Sequence, residues 1–311
     1  MWWMVLASLL FPGFGQALVH RTLRAIAWAV AAIATLFGIA WSVWLWPVTL
    51  LVHIAAAFDA GYVLRRDARP GGLNRMLGAI VLAAGAVGAG AWKLGVQGYR
   101  IPTSSMYPTI EIGDHLFVDK LSIHWKPIER GEVVLLRYPC DPSVVYVKRA
   151  VAVGGDSVEV RCDTLYVNGR PVPSSLVAKD WEYEDYDTTD HAWERTRVSR
   201  SHETLNGHAY DVYESPYKVG ERDFPKASVA PTCRGPHAVQ GQIVGHGGTG
   251  CGPQLQYLVP KGSVFVLGDN RFKAVDSRNW GAVREDDILG RVVGVWVNDH
   301  DGLFGRFGDL P

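Results

Sequence analysis

Val145-Tyr146-Val147-Lys148-Arg149-Ala150-Val151-Ala152-Val153 sets β-branched and aromatic residues around two adjacent cations. Such a run, followed by Gly155-Asp156, predicts a β-strand. Alternation puts Tyr146, Lys148 and Ala150 on one face and Val147, Arg149 and Val151 on the other, so one of the two cations must point toward a less hydrated side. Desolvation pushes a lysine there toward its neutral form, which makes it a base near neutral pH. On an edge strand, by contrast, both cations are solvated and carry no chemistry.

Similar short runs lie on either side: His115–Val118, Glu132–Arg137, Ser157–Val160, Thr164–Val167, Gln256–Val259, Val264–Leu267 and Gly290–Val297. They are separated by Gly, Asp or Pro, and Asn168-Gly169 is a strong signal for a tight turn. No amphipathic helix of convincing length interrupts them, so the chain from Ile101 onward reads as mainly β. Residues 98–170 and 256–311 form the two parts of a β core, and 171–255, polar and Gly-rich, reads as a loop-rich inserted subdomain. There is no internal repeat.

Residues 1–97 differ in kind. Ala25–Trp46 has no charged residue and is long enough to cross a hydrocarbon core of about 30 Å. Pro47–Leu64 is interrupted only by His53 and Asp59, and Met76–Trp92 is rich in Ala and Gly. Asp59 is expected to reach the interface. Met1–Val19 is apolar but broken at Pro12-Gly13-Phe14-Gly15-Gln16, and no basic residue precedes it as in a cleaved leader. Trp2, Trp3, Trp41, Trp44 and Trp46 suit a membrane–water interface. The expectation is three or four apolar segments containing transmembrane α-helices. Arg21, Arg24, Arg65, Arg66, Arg69 and Arg75 place their loops in the cytoplasm, and everything after about Gln97 outside.

The formal net charge is zero and no long basic run occurs, which gives no support for a nucleic-acid partner. All four cysteines, Cys140, Cys162, Cys233 and Cys251, lie in the part placed outside, where disulfides form. Proximity favours Cys140–Cys162 and Cys233–Cys251. A zinc site is the competing reading, but no C-x-x-C spacing supports it. Gly245-His246-Gly247-Gly248-Thr249-Gly250 fits a dinucleotide fingerprint by spacing alone; Cys251-Gly252-Pro253 follows instead of a helix, so it reads as a loop.

Chemistry gathers in three clusters. In Ile101-Pro102-Thr103-Ser104-Ser105-Met106-Tyr107-Pro108-Thr109 two prolines bracket three hydroxyl residues. That is either a stiff linker or a presented nucleophile, and a hydroxyl needs a base within reach. Lys148 is the candidate base. Gly268-Asp269-Asn270-Arg271, with Asp276-Ser277-Arg278 and Trp280-Gly281, makes a turn in which Asp276 pairs with Arg271 or Arg278.

Together these clusters resemble the bacterial type I signal peptidases, which are serine–lysine peptidases. The match runs through Pro102, Ser105-Met106, Pro108-Thr109, Gly113-Asp114, Lys148-Arg149-Ala150-Val151, Gly155-Asp156 and Gly268-Asp269-Asn270-Arg271 to Asp276-Ser277-Arg278 and Gly281. The resemblance implies a signal-peptidase-like β fold behind an inner-membrane anchor, with the catalytic domain on the extracytoplasmic side. Ser105 is then the nucleophile and Lys148 its base, with the oxyanion held by the Ser105 N–H and the Thr103 hydroxyl. Asp276, Arg278, Arg149, Asp269 and Arg271 support the site. Ile101, Pro102, Met106, Tyr146 and Val147 bind an exported preprotein as an added strand, small at its first and third positions before the cut. The lipid bilayer is the other partner, Met106 and the tip near Trp280 are expected to rest on it, and no cofactor or metal is implied. One departure stands out: the family often places a lysine-orienting Ser where this chain has Ala274. A catalytically inactive relative that serves as a membrane-bound binding or assembly factor is the alternative.

Overall fold

The computed structural model describes residues 2–18, 21–39, 46–66, 96–187, 192–217, 219–225, 237–245, 247–300 and 308–310. One compact unit is drawn mainly from residues up to Gln97, the other mainly from Gly98 onward.

The first unit contains α1 (Trp2–Leu10), α2 (Phe14–Leu18), α3 (Thr22–Ile39) and α4 (Trp46–Arg66). The break expected at Pro12-Gly13 separates α1 from α2. Gly13 has φ +97°, and a Cβ there would lie 2.3 Å from the Ala25 carbonyl oxygen, so only glycine permits this approach to α3. The transmembrane expectation is not met among the described residues, where no helix is long and apolar enough to cross a membrane. The 18 residues of α3 rise only about 27 Å, and α4 carries Asp59, Arg65 and Arg66. Residues 40–45 of the first apolar run, and all of Met76–Trp92, lie outside the described residues. Asp59 is tied to neighbouring helices: Gln16 Nε2, Arg24 Nη1 and Trp28 Nε1 each donate to it at 3.0 Å.

The second unit is mainly β, as the sequence predicts. Its strands follow β1 (Val96–Arg100) as β2 (Asp114–Asp119), β3 (Val133–Tyr138), β4 (Asp141–Val153), β5 (Ser157–Arg161), β6 (Thr164–Val167) and β7 (Arg170–Pro171). Then come β8 (Ser174–Asp187), β9 (Ala192–Leu205), β10 (His208–Glu214), β11 (Ala238–Val239), β12 (Gln242–Gly245), β13 (Leu255–Leu258), β14 (Ser263–Leu267), β15 (Ala282–Arg284) and β16 (Ile288–Asn298). Neighbouring strands of the main sheet run β2-β16-β3-β4-β14-β15-β11, and a second sheet runs β12-β13-β5-β6-β7. Asn168 and Gly169, both at positive φ, make the tight turn between β6 and β7. Strand β4 is interior, not an edge: Lys148 faces Val134 of β3, and Arg149 faces Leu267 of β14. Apolar clusters pack around it, one holding Val151, Val158, Phe265 and Tyr257, another Leu116, Val118, Leu135 and Val147.

Two expectations are corrected here. The inserted subdomain is not loop-rich throughout, because β8 and β9, 14 residues each, pair antiparallel and join β10 in a third sheet. Much of their surface is solvated, so no apolar alternation marked them as strands. The cysteine pairing by proximity also fails. Cys162 bonds Cys251, 89 residues away, with a Cα–Cα distance of 5.5 Å. Strand β5 pairs with both β6 and β13, which carries the β5–β6 turn to the segment leading into β13. Cys140 is disulfide-bonded as well, and Cys233 lies outside the described residues.

Candidate active site

Backbone hydrogen bonds fold the segment after β1 into turns: Tyr107 N–H donates to Ser104 O at 3.0 Å and Ile110 N–H to Met106 O at 2.9 Å. The turn after β14 grips it from the other side. Asn270 donates its backbone N–H to Ser105 O at 3.3 Å and its Nδ2 to Ser104 O at 3.1 Å. Gly268 makes this approach possible, since a Cβ there would stand 2.4 Å from the Ser105 carbonyl oxygen.

Held in this way, Ser105 Oγ lies 2.8 Å from Lys148 Nζ. Lys148 is 1 % exposed and makes no ion pair among the described residues. Burial lowers its pKa to about 8, against the opposing pull of Asp276 and Asp269. A neutral amine at this distance can accept the serine proton. Its orientation comes from the Val147 carbonyl, which accepts from Nζ at 2.9 Å, and from the Tyr146 ring, whose centroid is 5.1 Å away. Where this chain has Ala274, the Lys148 amine thus has a backbone partner that no side-chain motif announces. Thr103 Oγ1 lies 3.3 Å from Ser105 Oγ, on the exposed side of the segment. A hydroxyl there is placed to donate to charge that develops beside the serine oxygen.

Buried ion pairs fix the surroundings. The sequence leads to the expectation of one cation of the Lys148-Arg149 pair facing inward; both are buried. Arg149 forks onto Asp269, with Nε–Oδ1 2.9 Å and Nη2–Oδ2 2.7 Å, and its guanidinium lies 3.7 Å from the Tyr210 ring. Of the two partners open to Asp276, Arg278 takes it, through bonds of 2.9 and 2.8 Å. Asp276 also caps the short helix α5 (Ser277–Trp280) and accepts the Gly268 N–H at 3.0 Å. Its burial pushes the carboxyl pKa up, but Arg278 and these N–H donors hold it below the ordinary carboxylate value. Arg271 instead pairs with Glu203 of β9, its Nη2 2.7 Å from Oε2. Sequence reasoning missed Glu203, and also Tyr183 of β8, whose hydroxyl accepts from Asn270 Nδ2 at 2.8 Å. Both lie in polar strands with no motif around them.

Ile101, Met106 and Val147, expected to line the substrate site, come together in one apolar cluster, with Pro102 exposed beside them. Tyr146 belongs to a different cluster, stacked on Trp280 with ring centroids 5.5 Å apart. Met106 is 1 % exposed, which overturns the expectation that it rests on a membrane surface; Trp280 is equally buried, while Val275 in the turn before it is 48 % exposed.

Residues 73–297 match the family described as signal peptidase, peptidase S26. Signal peptidase I of Pseudomonas fluorescens is 27% identical over 226 residues, covering 65% of this chain and 65% of that protein. Signal peptidase I of Aquifex aeolicus is 28% identical over 213 residues, covering 65% of this chain and 76% of that protein. Signal peptidase I of Bacillus amyloliquefaciens is 29% identical over 204 residues, covering 65% and 75%. The chain thus spans 65% of the length of the Pseudomonas relative. With a family match over residues 73–297, the chain belongs to the signal peptidase family, peptidase S26.

Proposed function

We propose that the chain is a membrane-bound serine endopeptidase that removes signal peptides from exported preproteins with a Ser105–Lys148 dyad. The observation that carries the reading is the 2.8 Å contact between Ser105 Oγ and a buried lysine whose pKa falls to about 8. Lys148 takes the proton as Ser105 Oγ attacks the scissile carbonyl carbon, and returns it to the leaving amine as the peptide bond breaks. A water, deprotonated by Lys148, then attacks the Ser105 ester carbonyl, and Lys148 returns that proton to Ser105 Oγ as the ester bond breaks and the new carboxyl end leaves. Thr103 Oγ1 and the Ser105 N–H hold the oxyanion in both halves.

The preprotein lies as an added strand beside Ile101–Thr103 and Tyr146–Val147, with small side chains at the first and third positions before the cut. The burial of Ile101, Met106 and Val147 in one apolar cluster supports shallow subsites there. The Cys162–Cys251 disulfide supports an oxidising compartment, and the arginines flanking the apolar N-terminal runs support an inner-membrane anchor with the catalytic unit outside.

The test is cleavage of a preprotein, in detergent, by the wild type, Ser105→Ala and Lys148→Ala. The expectation is correct processing by the wild type and a loss of kcat of at least about 10³-fold in each variant. Undiminished cleavage by either variant sinks the dyad. Failure of the wild type on several preproteins sinks the peptidase reading.

A further inference from the structure

Beside the nucleophile segment lies a cavity of about 430 Å³ that the dyad does not use. One wall is the chain just beyond Ser105, including Tyr107 and Glu111; the other is the inserted sheet, including Tyr183, Glu184, Trp193 and Tyr213. The rings form a cup: Tyr107 meets Tyr183 edge-on at 5.1 Å, and Tyr183 meets Tyr213 at 5.0 Å. Trp193, 46 % exposed, closes the rim edge-on against His300 at 5.6 Å. Two carboxylates line the cup, and no Lys or Arg does. Glu184 is exposed at the mouth and has no ion pair among the described residues.

Aromatic faces with a carboxylate at the mouth favour a positively charged guest. Arg195, opposite Glu184 across β8 and β9, neither lines the cup nor makes an ion pair with Glu184. Tyr107 is two residues past Ser105, so at most about 7 Å of chain separates this wall from the nucleophile. A long side chain within a few residues of the scissile bond spans that distance. The segment before Ser105 holds the acyl half of the substrate in the proposed mechanism. The cavity is built from residues after it.

We infer that this cup is a specificity subsite for a Lys or Arg side chain near the start of the mature protein, on the leaving side of the cut. The inference rests on the peptidase reading above. The inserted sheet then supplies the half of the subsite that the core sheet lacks.

The test uses the full chain in detergent and peptides carrying Lys, Ala or Glu at each of the first four positions after the cut. At one of these positions Lys should raise kcat/KM about three- to tenfold over Ala, and Glu should lower it. The Lys/Ala ratio should fall toward one in Glu184→Gln and in Trp193→Leu, and Glu184→Lys should turn the preference toward Glu. Equilibrium binding of the same peptides to Ser105→Ala, measured by calorimetry, should give the same ranking. Cleavage with no charge preference at any of the four positions, or a preference unchanged by Glu184→Lys, overturns the subsite and leaves the peptidase reading standing. If no peptide is cut, the peptidase reading fails, and the calorimetric ranking alone decides whether the cup binds cations.

Discussion

Lys148, in the middle of the core sheet, is buried without a carboxylate partner, whereas the inserted sheet sends carboxylates toward the cations of the 269–273 turn. Glu203 of β9 takes the buried Arg271, and Asp185 of β8 takes Lys273 at 2.6 Å. The difference separates two uses of positive charge. A cation that must stay charged inside a protein needs a paired anion, since an isolated one costs several kcal/mol. A cation that must act as a base is better left without one, because desolvation then lowers its pKa. The largest break of this contrast is Glu203→Ala. Stranding the Arg271 guanidinium should lower the unfolding free energy by about 3–5 kcal/mol in denaturant melts. A loss under about 1 kcal/mol would mean that Arg271 finds another partner.

The same contrast fixes a pH dependence. Lys148 acts in its neutral form, and burial lowers its pKa to about 8. The rate constant kcat/KM should therefore rise with pH, level off above about 8, and fall about tenfold per unit below it. At pH 6 the loss is about a hundredfold. The linkage runs in the same direction for stability. The unfolded lysine titrates near 10.4, so the charged form is penalised only in the fold. Its penalty is greatest below pH 8 and fades as pH rises from about 8 toward 10.4. Lys148→Met should abolish activity and leave the melting temperature at pH 7 no lower than wild type. A limb that levels off only near pH 10 or above in wild type would mean that Lys148 is paired after all.

Tyr183 tests how far the inserted sheet reaches into the site. Its hydroxyl joins Asn270 Nδ2, the group that also holds Ser104 O, and burial raises its pKa so that it stays neutral. Tyr183→Phe keeps the ring against Tyr107 and Tyr213 and removes two hydrogen bonds, the one from Asn270 Nδ2 and a longer one to Asp185 Oδ2 at 3.4 Å, each worth about 0.5–1.5 kcal/mol at most. If the bond from Asn270 positions the nucleophile, kcat should fall about three- to tenfold with KM unchanged. A shift in melting temperature alone, with kcat intact, would confine Tyr183 to packing.

What was legible in the sequence follows the same division. The strand from Val145 to Val153 and the turn at Asn168-Gly169 rest on local pattern, which a sequence displays, whereas Ser105 and Lys148 stand out only by the joint resemblance of three separated motifs to one family. Glu203, Tyr183 and Asp185 act across sheets. Nothing near Glu203 says that an arginine 68 residues later will need it. The Cys162–Cys251 bond was hidden for the same reason, because the strand order, not spacing along the chain, brings the two together. The solvated strands β8 and β9 lacked the alternation that marks a half-buried strand. In the N-terminal unit apolar length pointed to spans, while Asp59 gathers Gln16, Arg24 and Trp28 into a polar knot that hydropathy alone does not reveal.

The smallest expected effect is the most informative about Lys148. A neutral lysine has one lone pair, for the Ser105 proton, and two N–H donors. Val147 O takes one donor at 2.9 Å, and the Tyr146 ring lies 5.1 Å from the nitrogen. If these two contacts orient the amine, a serine at position 274 adds little. Ala274 is fully buried, and the position where Gly268 would carry a Cβ is only 2.4 Å from the Ala274 Cβ, so the added hydroxyl enters a tight space. Ala274→Ser should therefore change kcat by less than about threefold, the scale of a single weak hydrogen bond. A tenfold gain would show that backbone and ring leave the lysine under-oriented, and that the inserted sheet's grip on Asn270 compensates at the serine for looseness at the base. Combining Ala274→Ser with Tyr183→Phe distinguishes these cases: independent effects add, whereas a gain that appears only when Tyr183 is intact means that the two ends of the dyad are held by one network.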